Sequence, residues 1–336
     1  MQTIKNGRPT SGIQSNVTAS DIAFELNTQI DSEFYDVLYP DKEWYKIVSE
    51  EQIYSNINPG ASNYAYMSRS RHGAAAFIGH GVNNDIPMVG QSIGAVTVPI
   101  AYAAVGAEVT NEDARQYTFG MNGNLAQELG TAMREACDNL IENSVIFGVP
   151  DLGFHGWINY PGITVMTASQ SAGTPASTKW QDKTGIEIAQ DINSALTYAW
   201  ENSKTIFKPS TIFLPLQQYS MLANTPMVLG NGGNAAGVGL MLNILNYVKA
   251  NNIISEVAGK ELEILPSRYL AGAGVGGTDR MVVMDRRKEN QILPFPLPYQ
   301  LSEPQPKPLA VAWFAENKFG SYHVRQQGSM LYVDGI

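Results

Sequence analysis

A chain of 336 residues is long enough for one large or two modest domains, and its net charge of −9 argues against a dedicated nucleic-acid binder, which carries a basic domain or stripe. Hydrophobic residues make up 44% and charged residues only 16%, below the roughly 25% usual in soluble domains, which implies either that part of the neutral surface becomes interface in an assembly or that the core is larger than usual. No apolar run approaches membrane-spanning length, Met1 to Asn6 lack the apolar core of a signal peptide, and a lone Cys137 excludes an intrachain disulfide.

The first forty-odd residues are polar and weakly periodic, with Ala23-Phe24 and Phe34-Tyr35 as isolated apolar pairs; they read as an extended arm that lies on something else. From Tyr64 to Tyr102 the pattern is that of strands. Val96, Val98, Ile100 and Tyr102 alternate with Thr97, Pro99, Ala101 and Ala103, and Pro99 marks an edge or a bulge. The intervening residues hold Gly73, Gly79, Gly81, Gly90 and Gly94. The whole reads as a two-stranded ribbon, which is marginal alone in water and needs a surface to lie on.

Thr110-Asn-Glu-Asp113 is a helix start, and a helix over 111–146 would span roughly 54 Å at 1.5 Å per residue. Leu125, Leu129, Ala132, Met133, Ala136 and Leu140 predict its apolar stripe, and Glu128, Glu135, Asp138 and Glu142 its wet side; Gly120, Gly123 and Gly130 allow a bend. Cys137, within that pattern, reads as a small buried hydrophobe. Residues 167–183 read as a loop, and the capping box Thr184-x-x-Glu187 opens a second helix with Ala189, Ile192, Leu196 and Trp200 on one face. Thr211–Leu214, Leu262–Leu265 and Met281–Met284 predict buried strands, and 230–239 a loop followed by a helix carrying Leu240, Ile244, Leu245 and Val248. Pro294, Pro296, Pro298, Pro304, Pro306 and Pro308 predict an irregular connector, and Leu309–Phe314, Tyr322–Arg325 and Leu331–Val333 the closing strands. Helices and strands mix without a βαβ rhythm, so the fold class is α+β.

No reactive constellation emerges. His72, His80, His155 and His323 stand in no metal-binding or catalytic spacing, and read as structural or surface histidines. Ala271-Gly-Ala-Gly-Val-Gly-Gly277 imitates a dinucleotide loop, but a strand rather than a helix is predicted after it, so a mobile loop between strands is expected. Asp285-Arg286-Arg287-Lys288 is a short basic cluster, read as a solvated strand end or as a contact with an acidic partner or DNA phosphates. The expectation is no catalytic residue, no cofactor and no metal.

The string Phe147-Gly148, followed by Gly153-x-x-Gly156-Trp157-Ile158-Asn159-x-Pro161-Gly162-Ile163, resembles the segment after the spine helix in tailed-phage major capsid proteins of the Hong Kong 97-type fold, the encapsulin-like branch. Gly73-Ala-Ala-Ala-Phe-Ile-Gly79 and Asp85-Ile-Pro87-x-Val89 resemble that fold's extended loop. Val149 departs from it, standing where an acid is common, and residues 223–239 match nothing in the pattern.

The resemblance implies an N-terminal arm (1–60), an extended loop (61–107), a peripheral domain (108–185, with the spine helix at 111–147, and 301–336) and an axial domain (186–300). It implies inter-subunit contacts at Tyr64, Tyr66, Phe77, Ile78, Ile86, Pro87, Val89, Val98, Ile100 and Tyr102. It places Phe147, Gly148, Gly153, Gly156, Asn159, Pro161 and Gly162 in the turn after the spine. It also implies hexamers and pentamers of an icosahedral head around double-stranded DNA, with a portal and a decoration or cement protein as further partners, packaged DNA touched without specificity, and assembly in the host bacterial cytoplasm. A start at Met1 without a long helical extension makes a separate scaffold the expectation. The founding member's shell is locked by isopeptide bonds from a loop lysine. Here no lysine stands between Lys46 and Lys179, so a shell without those bonds is expected. The alternatives are an encapsulin-type cargo compartment, an α/β enzyme using the 271–277 loop for a nucleotide, and a monomeric binding module.

Overall fold

A computed structural model describes residues 40–77, 87–121, 125–226 and 242–336. Its centre is a five-stranded mixed sheet in the order Thr164–Thr167, Met330–Asp334, Arg280–Met284, Thr211–Pro215, Glu263–Ser267. The inner three strands are buried along their whole length, as short continuous apolar runs predict. Alternation splits their side chains between two cores. Ile212, Leu214, Met281, Val283, Leu331 and Val333 pack under the helices Gly185–Asn202 and Ile244–Ala250, while Phe213, Val282, Met284 and Tyr332 face the end of a longer helix, Leu125–Ile146. The predicted capping box is present: Thr184 accepts from the Glu187 N–H, and the Glu187 carboxylate accepts from the Thr184 N–H at 2.7 Å. Leu240 and the 230–239 loop lie outside the described residues.

A second sheet carries the ribbon. Its order is Leu297–Leu301, Ala310–Gly320, Gly90–Thr110, Asn63–His72, with Gln305–Lys307 paired to the second of these. The 21-residue strand Gly90–Thr110 changes partner midway. Residues 90–99 pair with 63–72, and residues 100–110 with 310–320. Pro99 stands at the handover, where the Ile100 N–H reaches back to the Ser62 carbonyl and the Pro99 carbonyl accepts from Ser321. No ladder donor is needed there, which is why proline is tolerated inside so long a strand. The expected alternation holds from Val96 to Ile100 and then reverses, with Ala101, Ala103 and Val109 turned inward and Tyr102 outward.

The proline-punctuated stretch is not an irregular connector. Gln291–Pro294, Leu297–Leu301 and Gln305–Lys307 are strands. Pro294 ends its strand, Pro298 sits where the register with Ala310–Gly320 shifts, and Pro306 lies in a strand paired on one side only. Edges, ends and bulges are the places a β-structure can lack an N–H.

Part of the expected arm (1–60) packs on its own protomer. Trp44, Ile47 and Val48 are buried against the Leu125–Ile146 helix, and Ile53–Tyr54 pair in parallel with Leu293–Pro294. Residues 1–39 lie outside the described residues.

The spine is two helices, Asn111–Met121 and Leu125–Ile146. Thr110 caps the first, accepting from the Asp113 N–H at 3.1 Å. The buried stripe of the second is Met133, Cys137, Ile141 and Val145, whereas Ala132, Ala136 and Leu140 face outward. Glu142, expected on the wet side, is buried. Its Oε1 accepts from Arg268 at 2.9 Å, the Tyr269 hydroxyl at 2.8 Å and the Glu43 N–H at 3.1 Å. Gly130 sits mid-helix with nothing within 4 Å of an added Cβ. Gly130→Ala is therefore expected to stabilise the protomer by about 0.5–1 kcal/mol, read as a higher urea midpoint at unchanged slope.

Candidate functional site

The turn after the spine is built by two glycines that cross at close range. The helix stops at Ile146, and Gly148 adopts φ +77°, a left-handed conformation costly for other residues. A Cβ on Gly148 would lie 2.5 Å from the Phe154 carbonyl oxygen, and one on Gly156 would lie 2.5 Å from the Ile146 and Phe147 carbonyl oxygens. Only with hydrogens there can the chain pair Gly148–Val149 with Phe154–His155 and double back along the helix.

The returning chain then caps the helix. Trp157 N–H donates to Val145 O at 2.8 Å and Ile158 N–H to Ile146 O at 3.2 Å, satisfying carbonyls a helix end otherwise leaves open. Trp157 is fully buried edge-on to Phe213, ring centroids 5.1 Å apart. Tyr332 donates its hydroxyl to Trp157 O and receives the Tyr160 N–H at 3.1 Å, while Arg280 reaches Ile158 O at 2.6 Å and holds Asp334 through two nitrogens. Asn159 Nδ2 approaches Phe147 O at 3.5 Å, and Gly162, at φ +80°, lies against the Gln327 side chain. Phe147 and Pro161 are exposed. The predicted turn residues are thus brought together, and their work is to clamp the spine onto the central sheet.

The ribbon divides the predicted contact residues. Tyr64 and Tyr66 are committed to their own protomer. Tyr66 Oη and Tyr160 Oη flank His323, 3.0 Å from Nε2 and 2.9 Å from Nδ1; the Arg325 guanidinium lies over the Tyr66 ring and donates to Tyr64 Oη at 3.0 Å. Val98 and Ile100 are buried inside the protomer. These four sit at the ribbon's base, Tyr64 and Tyr66 half-buried and Val98 and Ile100 buried. Phe77, Pro87, Val89 and Tyr102 are exposed, and Tyr102 donates to Glu316 at 2.7 Å; Ile78 and Ile86 lie outside the described residues. Met67, Met88 and Ile93 were missed and also stand in solvent: Phe77 is 109% exposed, Met88 86% and Met67 81%. Met67 could have been found, because it falls on the strand face opposite Tyr64 and Tyr66. Uncovered apolar side chains in such number are a feature that interaction surfaces share.

His323 makes the ribbon's base sensitive to acid. Burial, reinforced by Arg325 and His155, lowers its pKa from 6.5 to about 4, so the folded ring stays neutral and can both donate and accept between the two tyrosines. The unfolded chain takes up the proton first, so this contribution to stability is whole above pH 6.5 and is lost as pH falls toward 4. The melting temperature is expected to drop across that window, and His323→Gln to flatten the drop.

The remaining candidates are spent on structure. The 271–277 loop leads into the strand Arg280–Met284, and its N–H groups at Gly272 and Val275 donate to Asp279 and Asp334, so it is held rather than mobile. Arg286 pairs with Glu263 and Arg287 with Asp285. Cys137 is a buried free thiol. Among the described residues no group of three or more His, Cys, Asp or Glu is placed to hold a metal, and no helix is long and apolar enough to cross a membrane.

A family model described as "Major capsid protein" matches residues 73–336. Among solved structures the fold is similar to the capsid of Myoviridae Phage XM1, with TM-score 0.73 and 15% identity over 93% of this chain and 98% of that one. It is also similar to the capsid of a native GTA particle, with TM-score 0.58 and 10% identity over 96% and 99% of the two chains. A third similar chain comes from Microbacterium phage Oxtober96, with TM-score 0.56 and 14% identity over 95% and 99%. No curated protein matches the sequence. At these identities the structural likeness is one of fold.

Proposed function

Because this chain belongs to the major capsid protein family, a family of structural proteins that self-assemble into phage capsid shells, we propose that it forms the hexamers and pentamers of an icosahedral head enclosing double-stranded DNA. The observation that carries the reading is the ribbon, whose base is locked to its own protomer while Met67, Phe77, Met88 and Val89 stand uncovered. Left in water these side chains gain nothing; laid on an adjacent subunit they contribute on the order of 1.5–3 kcal/mol each.

In this reading residues 61–107 are the extended loop, 186–300 the axial domain, and 108–185 with 301–336 the peripheral domain. Assembly takes place in the host bacterial cytoplasm with a separate scaffold, a portal and a cement protein, and the packaged DNA is touched without sequence preference. A net charge of −9 makes the wall mildly repulsive to DNA phosphates, so that packaged DNA slides rather than sticks. A cargo-holding compartment draws no support from the matches. Negative-stain electron microscopy of the purified recombinant protein should show closed shells or rings of five and six. A homogeneous monomer that neither salt nor scaffold converts to either overturns the proposal.

The lysine-free ribbon gives a further expectation: particles boiled in detergent should run as a single band at monomer mass. A ladder of covalent multimers would refute a shell held by non-covalent contacts alone.

A further inference from the structure

We propose that a cavity at the carboxyl end of the central sheet is a binding site for a small zwitterion, with an ammonium at one end and a carboxylate at the other. Thr164–Thr167, Met330–Asp334, Thr211–Pro215 and Glu263–Ser267 run in one direction, and Arg280–Met284 runs against them. The carboxyl ends of four strands therefore lie along one rim, the place where helix-flanked sheets most often hold ligands. The cavity there measures about 340 Å³. That lies within the roughly 300–1,000 Å³ of small-molecule sites and far exceeds the roughly 30 Å³ of one water. Thr178, Lys179, Gln218, Gly276, Gly277 and Asp279 line it, so the glycine-rich loop that imitates a dinucleotide motif forms part of its wall.

The lining carries unspent polarity of both signs. Gln218 is only 3% exposed, and its Nε2 donates to Asp279 Oδ2 at 2.5 Å. That bond sets the orientation of the amide and leaves Oε1, a buried acceptor, with no hydrogen-bond partner among the described residues. The Asp279 carboxylate is itself held, because Oδ1 accepts from the Gly272 N–H at 2.9 Å. An unmet acceptor beside a carboxylate calls for a donor, and a cationic donor serves both. Lys179 supplies the opposite sign. Its side chain is exposed and has no ion pair or hydrogen bond among the described residues, Asp279 included. Gly276 and Gly277, both at positive φ, contribute backbone to the wall and no side chain to the space.

These groups decide the class of guest. An anion alone would be repelled by Asp279, and a divalent cation would find one carboxylate with an ammonium in the same cavity. A molecule whose ammonium meets Gln218 Oε1 and Asp279, and whose carboxylate meets Lys179, satisfies all three.

The test is isothermal titration of the purified chain with glycine, β-alanine, γ-aminobutyrate and δ-aminovalerate, whose charges stand progressively farther apart. At least one should bind with a Kd of about 1 mM. Propylamine, butyrate and inorganic phosphate should bind roughly tenfold more weakly, since each leaves one charge of the site unmet. Lys179→Glu, at an exposed position with no partner to lose, should melt like wild type. It should bind the preferred amino acid roughly tenfold more weakly and the diammonium putrescine roughly tenfold more tightly than wild type does. Gln218→Met removes the acceptor and should weaken the same amino acid by a similar factor. Absence of binding by all four amino acids at about 50 mM overturns the proposal. Propylamine binding as tightly as the amino acids also overturns it, as does unchanged binding by Lys179→Glu. Shell formation is read separately by microscopy, so none of these results bears on the capsid reading.

Discussion

Gly156→Ala is expected to leave little or no folded protomer. The added carbon would sit 2.5 Å from the carbonyl oxygens of Ile146 and Phe147, and both are backbone atoms at a helix end. Neither can turn aside as a flexible side chain could. Relief requires moving the returning chain, which breaks the Trp157 and Ile158 hydrogen bonds to the helix and lifts Trp157 from Phe213. Losses of that kind fall in the range above about 4 kcal/mol, comparable with the whole stability of a small domain. Gly148→Ala should match it, since its Cβ meets the Phe154 carbonyl and φ is +77° besides. Gly153→Ala is the control. Its φ is +71°, but the nearest atom to an added Cβ is 3.9 Å away, so only conformational strain of about 1 kcal/mol is expected. Soluble yield and thermal melting of the three variants check this; a folded, assembly-competent Gly156→Ala would contradict the crossing-glycine account.

Glu142→Ala is the second large effect. The carboxylate sits at a junction of three segments: the spine helix that carries it, the Lys42–Glu43 entry, and the turn at Arg268–Tyr269. Removing it leaves the Glu43 N–H and the Tyr269 hydroxyl without their acceptor and Arg268 without its partner. Arg268 is partly open to solvent and can escape to water, so about 3 kcal/mol is expected rather than the upper end for a sealed pair. Glu135→Ala, on the exposed face of the same helix, should change protomer stability by less than about 0.5 kcal/mol. Urea unfolding distinguishes them, and equal midpoints would show that the buried network contributes nothing net.

Much of the fold was written in local pattern. The Thr110 cap, the capping box at Thr184, the buried runs at 211–214 and 281–284, and the glycine-spaced turn after the spine each follow from neighbours a few residues apart. What escaped was set by partners far along the chain. Glu142 followed the helical period of a wet face, and only Arg268, 126 residues away, makes its burial tolerable. The spine's apolar residues lie on two sides, so periodicity alone could not say that Met133, Cys137 and Ile141 face inward while Ala132, Ala136 and Leu140 do not. The prolines of 294–308 were judged as breakers because a sequence does not show which strands lie at an edge. The bonds of Tyr66 to His323 and of Tyr64 to Arg325, some 260 positions on, were likewise beyond any local pattern.

The handover at Pro99 has a mechanical meaning. Gly90–Thr110 is one unbroken beam, clamped at its inner end between Ala310–Gly320 and the spine, and at its outer end paired, among the described residues, with Asn63–His72 alone. A cantilever of this build has no soft joint at its root. Load on the free end passes into the ladder of residues 100–110 with 310–320, and so into the body of the protomer. Were neighbouring subunits to slide past one another, the protomer would answer by tilting as a whole rather than by folding its ribbon flat.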